Sequence, residues 1–114
     1  EDCDKLVYKG QEYTAVKKGN KTQMDYGYFA RFPNPYNPKS SVILVNGIHT
    51  FGGLGASKAF SDHPSAQGNI KKLLSKLNLE DVRQAAFECF FPVEVTRESV
   101  FCPNIDEDYI ISIG

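Results

Sequence analysis

Hydrophobic and polar positions alternate along much of the chain, and the period of that alternation changes midway. Leu6-Val7-Tyr8 and Tyr13-Thr14-Ala15-Val16 are short β-prone runs, and Lys9-Gly10-Gln11-Glu12 between them supplies a hairpin turn around Gly10. Lys17-Lys18-Gly19-Asn20-Lys21 reads as a polar, solvated loop. Tyr26, Tyr28, Ala30 and Phe32 then share one parity, while Gly27, Phe29 and Arg31 take the other. That period of two predicts a strand, and its aromatic parity doubles as a possible ligand platform. Pro33, Pro35 and Pro38 remove three backbone donors and stop this strand. With Asn34 and Asn37 able to close Asx-turns, the segment reads as an ordered crossing that aims the chain into a sheet.

Val42-Ile43-Leu44-Val45 is an unbroken aliphatic run, the pattern of a strand buried on both faces. A glycine-rich loop follows, and the small residues from Gly52 to Phe60 predict a helix lying close against that strand. Ser61-Asp62-His63-Pro64 ends it, with His63 as a turn residue. Ile70, Leu73, Leu74 and Leu77 form an amphipathic stripe over a second helix, Ala66 to Leu77, with Lys71, Lys72 and Lys76 on the solvent side. Asn78-Leu79-Glu80-Asp81 looks like an N-cap with first-turn acids, opening a short helix to about Gln84. Phe87, Cys89, Phe91, Val93 and Val95 share a parity and predict a long strand, at an edge or with a bulge because of Pro92. Arg97-Glu98-Ser99 reads as a turn, and Val100–Cys102 and Tyr109–Ile113 as short strands. Together these elements predict an α/β fold, a three-layer sandwich with a central, partly mixed sheet. Val42–Val45 is its core strand, between Tyr26–Phe32 and Phe87–Val95.

Length and charge narrow the picture further. The 114 residues suit one domain with a single core, read as 1–114, and the start at Glu1 suggests excision from a longer protein. Thirteen basic against fourteen acidic residues give a net charge of −1, which argues against a dedicated nucleic-acid surface. No apolar run is long enough to span a bilayer. Cys3, Cys89 and Cys102 have no metal-type spacing. Reduced thiols of a cytoplasmic protein are the first reading, and one disulfide in a secreted or cell-surface domain is the second. Asn20-Lys21-Thr22 is a formal glycosylation sequon, relevant only in the second case.

The candidate chemistry gathers at the glycine loop. Strand, glycine turn and helix N-terminus suit an anion, because the first amides of a helix lack internal partners. Asn46, Gly47, His49, Thr50, Gly52 and Gly53 are the candidate ligand-binding residues, with Asn34 and Asn37 beside them. His49 is the foremost side chain, able to donate to a phosphate or carboxylate. Known catalytic spellings are not met. Gly47 and Gly52 have Walker A spacing, but Gly53 and Leu54 stand where its lysine and hydroxyl belong. The dinucleotide pattern begun at Gly53-Leu54-Gly55 fails at Lys58, and G-x-S-x-G occurs nowhere. Ile43–Gly47 resembles the strand leading to the oxyanion loop of α/β-hydrolases, with Asn46 in place of the usual histidine. Two histidines without a Cys or Glu cluster suggest no metal site, no cofactor is implied, and Asp106-Glu107-Asp108 lacks a calcium-loop pattern.

Asp25-Tyr26-Gly27, Asn34-Pro35-Tyr36-Asn37-Pro38, the aliphatic strand, Gly47, Gly52-Gly53 and Ala56 together resemble a Rossmann-like domain of prokaryotic surface-layer and of regulatory or defence-associated sensor proteins. Gly53 stands where that pattern has threonine. The resemblance implies a Rossmann-like, ligand-binding or structural α/β module attached to other domains of a parent protein. With the glycine loop, it leads to the reading of a non-catalytic sensor or recognition module that holds a small anionic ligand, such as a nucleotide-derived one, or a partner's peptide. A fragment of a hydrolase-like enzyme and a structural protein-interaction domain are the alternatives.

Overall fold

In a computed structural model, residues 5–19, 21–97 and 99–113 are described. Cys3, Asn20 of the sequon and Glu98 of the expected turn lie outside them. The chain forms strands β1 (Lys5–Tyr8), β2 (Gln11–Thr14), β3 (Val16–Lys18), β4 (Lys21–Asn34) and β5 (Asn37–Gly47), then helices α1 (Thr50–Ala59) and α2 (Gln67–Leu77), then β6 (Phe87–Glu94) and β7 (Ile110–Ser112). Short 3-10 turns cover Pro64–Ala66, Val82–Gln84 and Glu107–Tyr109.

The expected Rossmann-like α/β sandwich is not formed. The protein is mostly β, a curled antiparallel sheet with two helices on one face. Every strand pair among the described residues is antiparallel. The sheet centre is β4, bonded along one side to β6 and along the other to β3 and then β5. β7 extends the sheet beyond β6, and β1 with β2 makes a separate hairpin.

The fold departs from that expectation at the prolines. β4 runs through Pro33 to Asn34, and the chain reverses at Pro35-Tyr36 instead of crossing. Asn34 Oδ1 accepts from the Tyr36 amide at 2.8 Å, the Asx-turn that fixes this reversal. β5 therefore returns beside β4, with Ala30 opposite Leu44 and Phe32 opposite Val42. That makes Val42–Val45 an edge strand, not the core strand. Ile43, Leu44 and Val45 are 56%, 47% and 41% exposed. The lysine-rich segment also differs: Val16–Lys18 is β3, paired in a hairpin with the start of β4. Between β1 and β2, Lys9 and Gly10 both have positive φ, 53° and 79°, as a two-residue I′ turn requires.

The two faces of β4 and β6 carry different chemistry. Phe29, Phe87, Cys89, Phe91 and Val93 are buried on the inner face beneath α1, with Leu73 of α2 in the same core. Gly27 and Gly55 let α1 settle closely: a Cβ at Gly27 would lie 3.3 Å from Ala56 Cβ, and one at Gly55 would lie 2.7 Å from Val93 Cγ1. Asn69 of α2 is buried and ties the segments together. Its Nδ2 donates to Ala59 O and Pro103 O, and its Oδ1 accepts from the Ile105 amide at 2.9 Å. Lys76 is exposed, as expected, and donates to Glu107 O, while the half-buried Lys72 reaches Ile105 O. Asn78 closes α2 in the left-handed conformation, and Asp81 caps the next turn. Hydrogen bonds from Arg83 hold the exposed Asp81 carboxyl down at about 2. Val100–Cys102 forms no strand, while Thr96 and Ser99 exchange backbone hydrogen bonds.

Candidate functional site

The glycine loop does bring strand and helix N-terminus together, and the group it holds is the protein's own. Asp25, fully buried on the inner face of β4, points its carboxyl at the start of α1. Oδ2 accepts from the Gly52 amide at 2.6 Å and from the His49 amide at 3.0 Å. Oδ1 accepts from the Tyr26 amide at 2.8 Å. His49 is the N-cap residue, yet its side chain makes no capping bond, so Asp25 does that work from 24 residues away in sequence. Gly52 is required here by proximity: a Cβ on it would overlap Tyr26 O and stand 2.9 Å from Asp25 Oδ2. Gly47 is equally confined, against the backbone of Gly52 and Gly53.

Of the residues expected to bind a ligand, Asn46, Gly47, His49, Thr50, Gly52 and Gly53 converge around this helix start. Asn46 accepts from the Gly47 amide at 2.8 Å, Thr50 is exposed, and Gly53 faces open space. Asn34 and Asn37 are elsewhere, at the hairpin tip, where Asn37 Oδ1 accepts from the Lys39 amide. Asn37 and Gly47 are the two ends of β5, about 33 Å apart at the usual strand rise. Among the described residues, four surface grooves of about 340 to 440 Å3 are lined by no residue between 46 and 54.

Two other features emerge. The first is the outer edge of β5, which pairs with no strand among the described residues. The second lies on the outer face of the sheet, where the β1–β2 hairpin docks through aromatic rings. Tyr8 stacks on Phe90 at 4.7 Å, Tyr13 meets Phe90 edge-on at 4.6 Å, and Tyr26 stacks on Phe90 at 5.2 Å. Tyr28 donates to Glu88 Oε1 at 2.8 Å. The buried Tyr8 hydroxyl lies near the same carboxylate without reaching hydrogen-bond geometry. Burial first, and Glu88 second, push both tyrosines up to about 12. Beside the hairpin, a groove of about 340 Å3 is lined by Tyr8, Tyr13, Tyr26, Tyr109 and Asp108.

The sequence held a signal for each missed feature. Asp25 is an acid on the parity of Gly27 and Phe29, a charge at the start of an inward face. Tyr8 and Tyr13 sit on either side of a turn, as cross-strand neighbours of one hairpin face would. Burial raises the Cys89 thiol to about 12, so it is no reactive group, and neither it nor Cys102 is in a disulfide. No helix among the described residues is long and apolar enough to cross a membrane. Comparison with protein-family models, curated proteins and solved structures finds no match.

Proposed function

We propose that this domain is a non-catalytic recognition module that accepts a strand from another polypeptide along the outer edge of β5. One observation carries the reading: an eleven-residue edge strand exposes Ile43, Leu44 and Val45, and its run from Ser40 to Gly47 holds neither a charge nor a proline. Edge strands are ordinarily blunted by lysine, proline, a bulge or brevity. This edge has its proline and lysine only near its start, at Pro38 and Lys39. An extended, uncharged, β-branched segment fits it: main-chain hydrogen bonds supply affinity and the aliphatic side chains supply register. A small anion that used the Gly52 and His49 amides would have to displace Asp25 from them.

The test is a selection from a displayed random-peptide library, followed by hydrogen exchange on the labelled domain. Enriched peptides are expected to be rich in Val, Ile and Thr and to slow exchange at alternate amides of 41–47. Ile43→Lys should abolish the effect and leave the β4 and β6 amides protected. Failure to enrich any peptide, or protection mapping elsewhere, overturns the reading.

A further inference from the structure

We propose that the groove beside the β1–β2 hairpin binds an organic cation, an alkylated ammonium group, among tyrosine rings with Asp108 as its counter-charge. The groove exists because the hairpin is short. β1 and β2 have four residues each and cover Tyr26, Tyr28 and Phe90, whereas β6 continues to Pro92 and Glu94. The groove is lined by Phe90 and Pro92 of β6, by Tyr8, Tyr13 and Tyr26, and by Asp108 and Tyr109. Its volume, about 340 Å3, falls within the range of small-ligand pockets, about 300–1,000 Å3.

Charge selects the ligand class. The lining contains one carboxylate and no lysine, arginine or histidine. Aromatic faces carry negative potential and attract cations that shed water easily. Lys9 places its ammonium 5.7 Å from the centre of the Tyr8 ring, within cation–π range. A neighbouring groove of about 440 Å3 shares Pro92 and Tyr109 with this one and adds Asp106 and Glu107. Its single cation, Lys72, is engaged by Asn104 Oδ1 at 2.7 Å and Ile105 O at 2.8 Å. A ligand that places an alkylated ammonium among the rings could therefore extend along an acidic continuation. The turn carrying these acids is itself fixed, since Asp106 Oδ1 accepts from the Asp108 amide at 2.9 Å.

The experiment is an NMR titration of the labelled protein, at constant ionic strength, with choline and with 3,3-dimethylbutanol, its neutral carbon isostere. Choline should shift signals of Tyr13, Tyr26, Asp108 and Tyr109, and bind tighter than the isostere by about threefold to thirtyfold, the range of cation–π attraction. Asp108→Asn and Tyr109→Ala, both at exposed positions, should each weaken choline binding while amides of α1 and α2 stay unshifted. Equal affinity for the two compounds would make this a generic apolar groove and overturn the proposal. Absent shifts, shifts confined to residues outside the groove, or binding indifferent to both substitutions would overturn it equally.

Discussion

The two faces of β4 meet their neighbours in opposite ways. On the inner face, Gly27 and Asp25 receive a helix so closely that a single added carbon would collide, and one carboxyl satisfies the amides at its start. On the outer face, Tyr26 and Tyr28 hold a small hairpin at arm's length through rings, and a groove stays open beside it. Small residues bring backbones together, which leaves backbone polar groups to be settled inside the fold. Large rings keep backbones apart, which leaves space. The closed face is accordingly where stability is concentrated, and the open face and edge are where another molecule can enter.

The largest effect expected from this contrast is at Asp25. Asp25→Ala removes the acceptor from the part-buried His49 and Tyr26 amides, and the shorter of two acceptors from the buried Gly52 amide, which keeps His49 O at 3.1 Å. The loss should reach about 2 kcal/mol or more, at about 1–3 kcal/mol for each donor left without a partner. Denaturant titration measures it. A cost below that of an ordinary surface substitution, about 0.5 kcal/mol, would show that water replaces the carboxyl and that the inner face is not sealed.

Individual elements were legible in the sequence, and their arrangement was not. The period-two parity of Phe87 to Val95 and the stripe from Ile70 to Leu77 both appear as β6 and α2, because each obeys a local rule that tertiary context did not oppose. The place of Val42–Val45 was not legible. Four aliphatics in a row describe a strand, and whether that strand is central or at an edge depends on what the preceding chain does. Pro33 has the character of a stop, yet it pairs opposite Ser41 near the end of β4, beyond the reach of β6, where the sheet is only two strands wide. The site shows the same division. The convergence of Asn46, Gly47, His49, Gly52 and Gly53 follows from adjacency in sequence. The carboxyl that occupies their amides comes from Asp25 across the sheet, and periodicity alone does not pair distant segments.

The outer face should respond to pH in the alkaline range. Tyr8 and Tyr28 are raised from 10 to about 12, first by desolvation and then by Glu88. A folded-state value above the unfolded one means that the folded protein holds the proton more tightly. Their contribution is therefore complete below about pH 10 and is lost as pH rises through about 12. Tyr28→Phe deletes the bond to Glu88, for about 1–2 kcal/mol at neutral pH, and should flatten this alkaline decline. Stability measured against pH for both proteins decides it. An unchanged slope in the variant would detach Tyr28 from the titration.

The smallest effect is expected at Gly53, and its contrast with Gly52 separates two adjacent glycines of the same helix. Gly52 and Gly53 both belong to the first turns of α1, and both fitted the expected ligand loop. Their surroundings differ completely. A Cβ at Gly52 has nowhere to go, while one at Gly53 meets nothing within 4 Å, and neither residue has the positive φ that disfavours a side chain. Gly53→Ala therefore gains helix propensity at no steric cost and should stabilise the protein by about 0.5–1 kcal/mol. Gly52→Ala should destabilise it, because α1 must retreat from Tyr26 O and stretch the bond to Asp25. Opposite signs in paired thermal melts are the expected outcome. If both substitutions destabilise, the helix start is held more tightly at Gly53 than its open surroundings allow. If both are neutral, the closeness of α1 to β4 does not constrain the fold, and the sealed inner face loses its explanation.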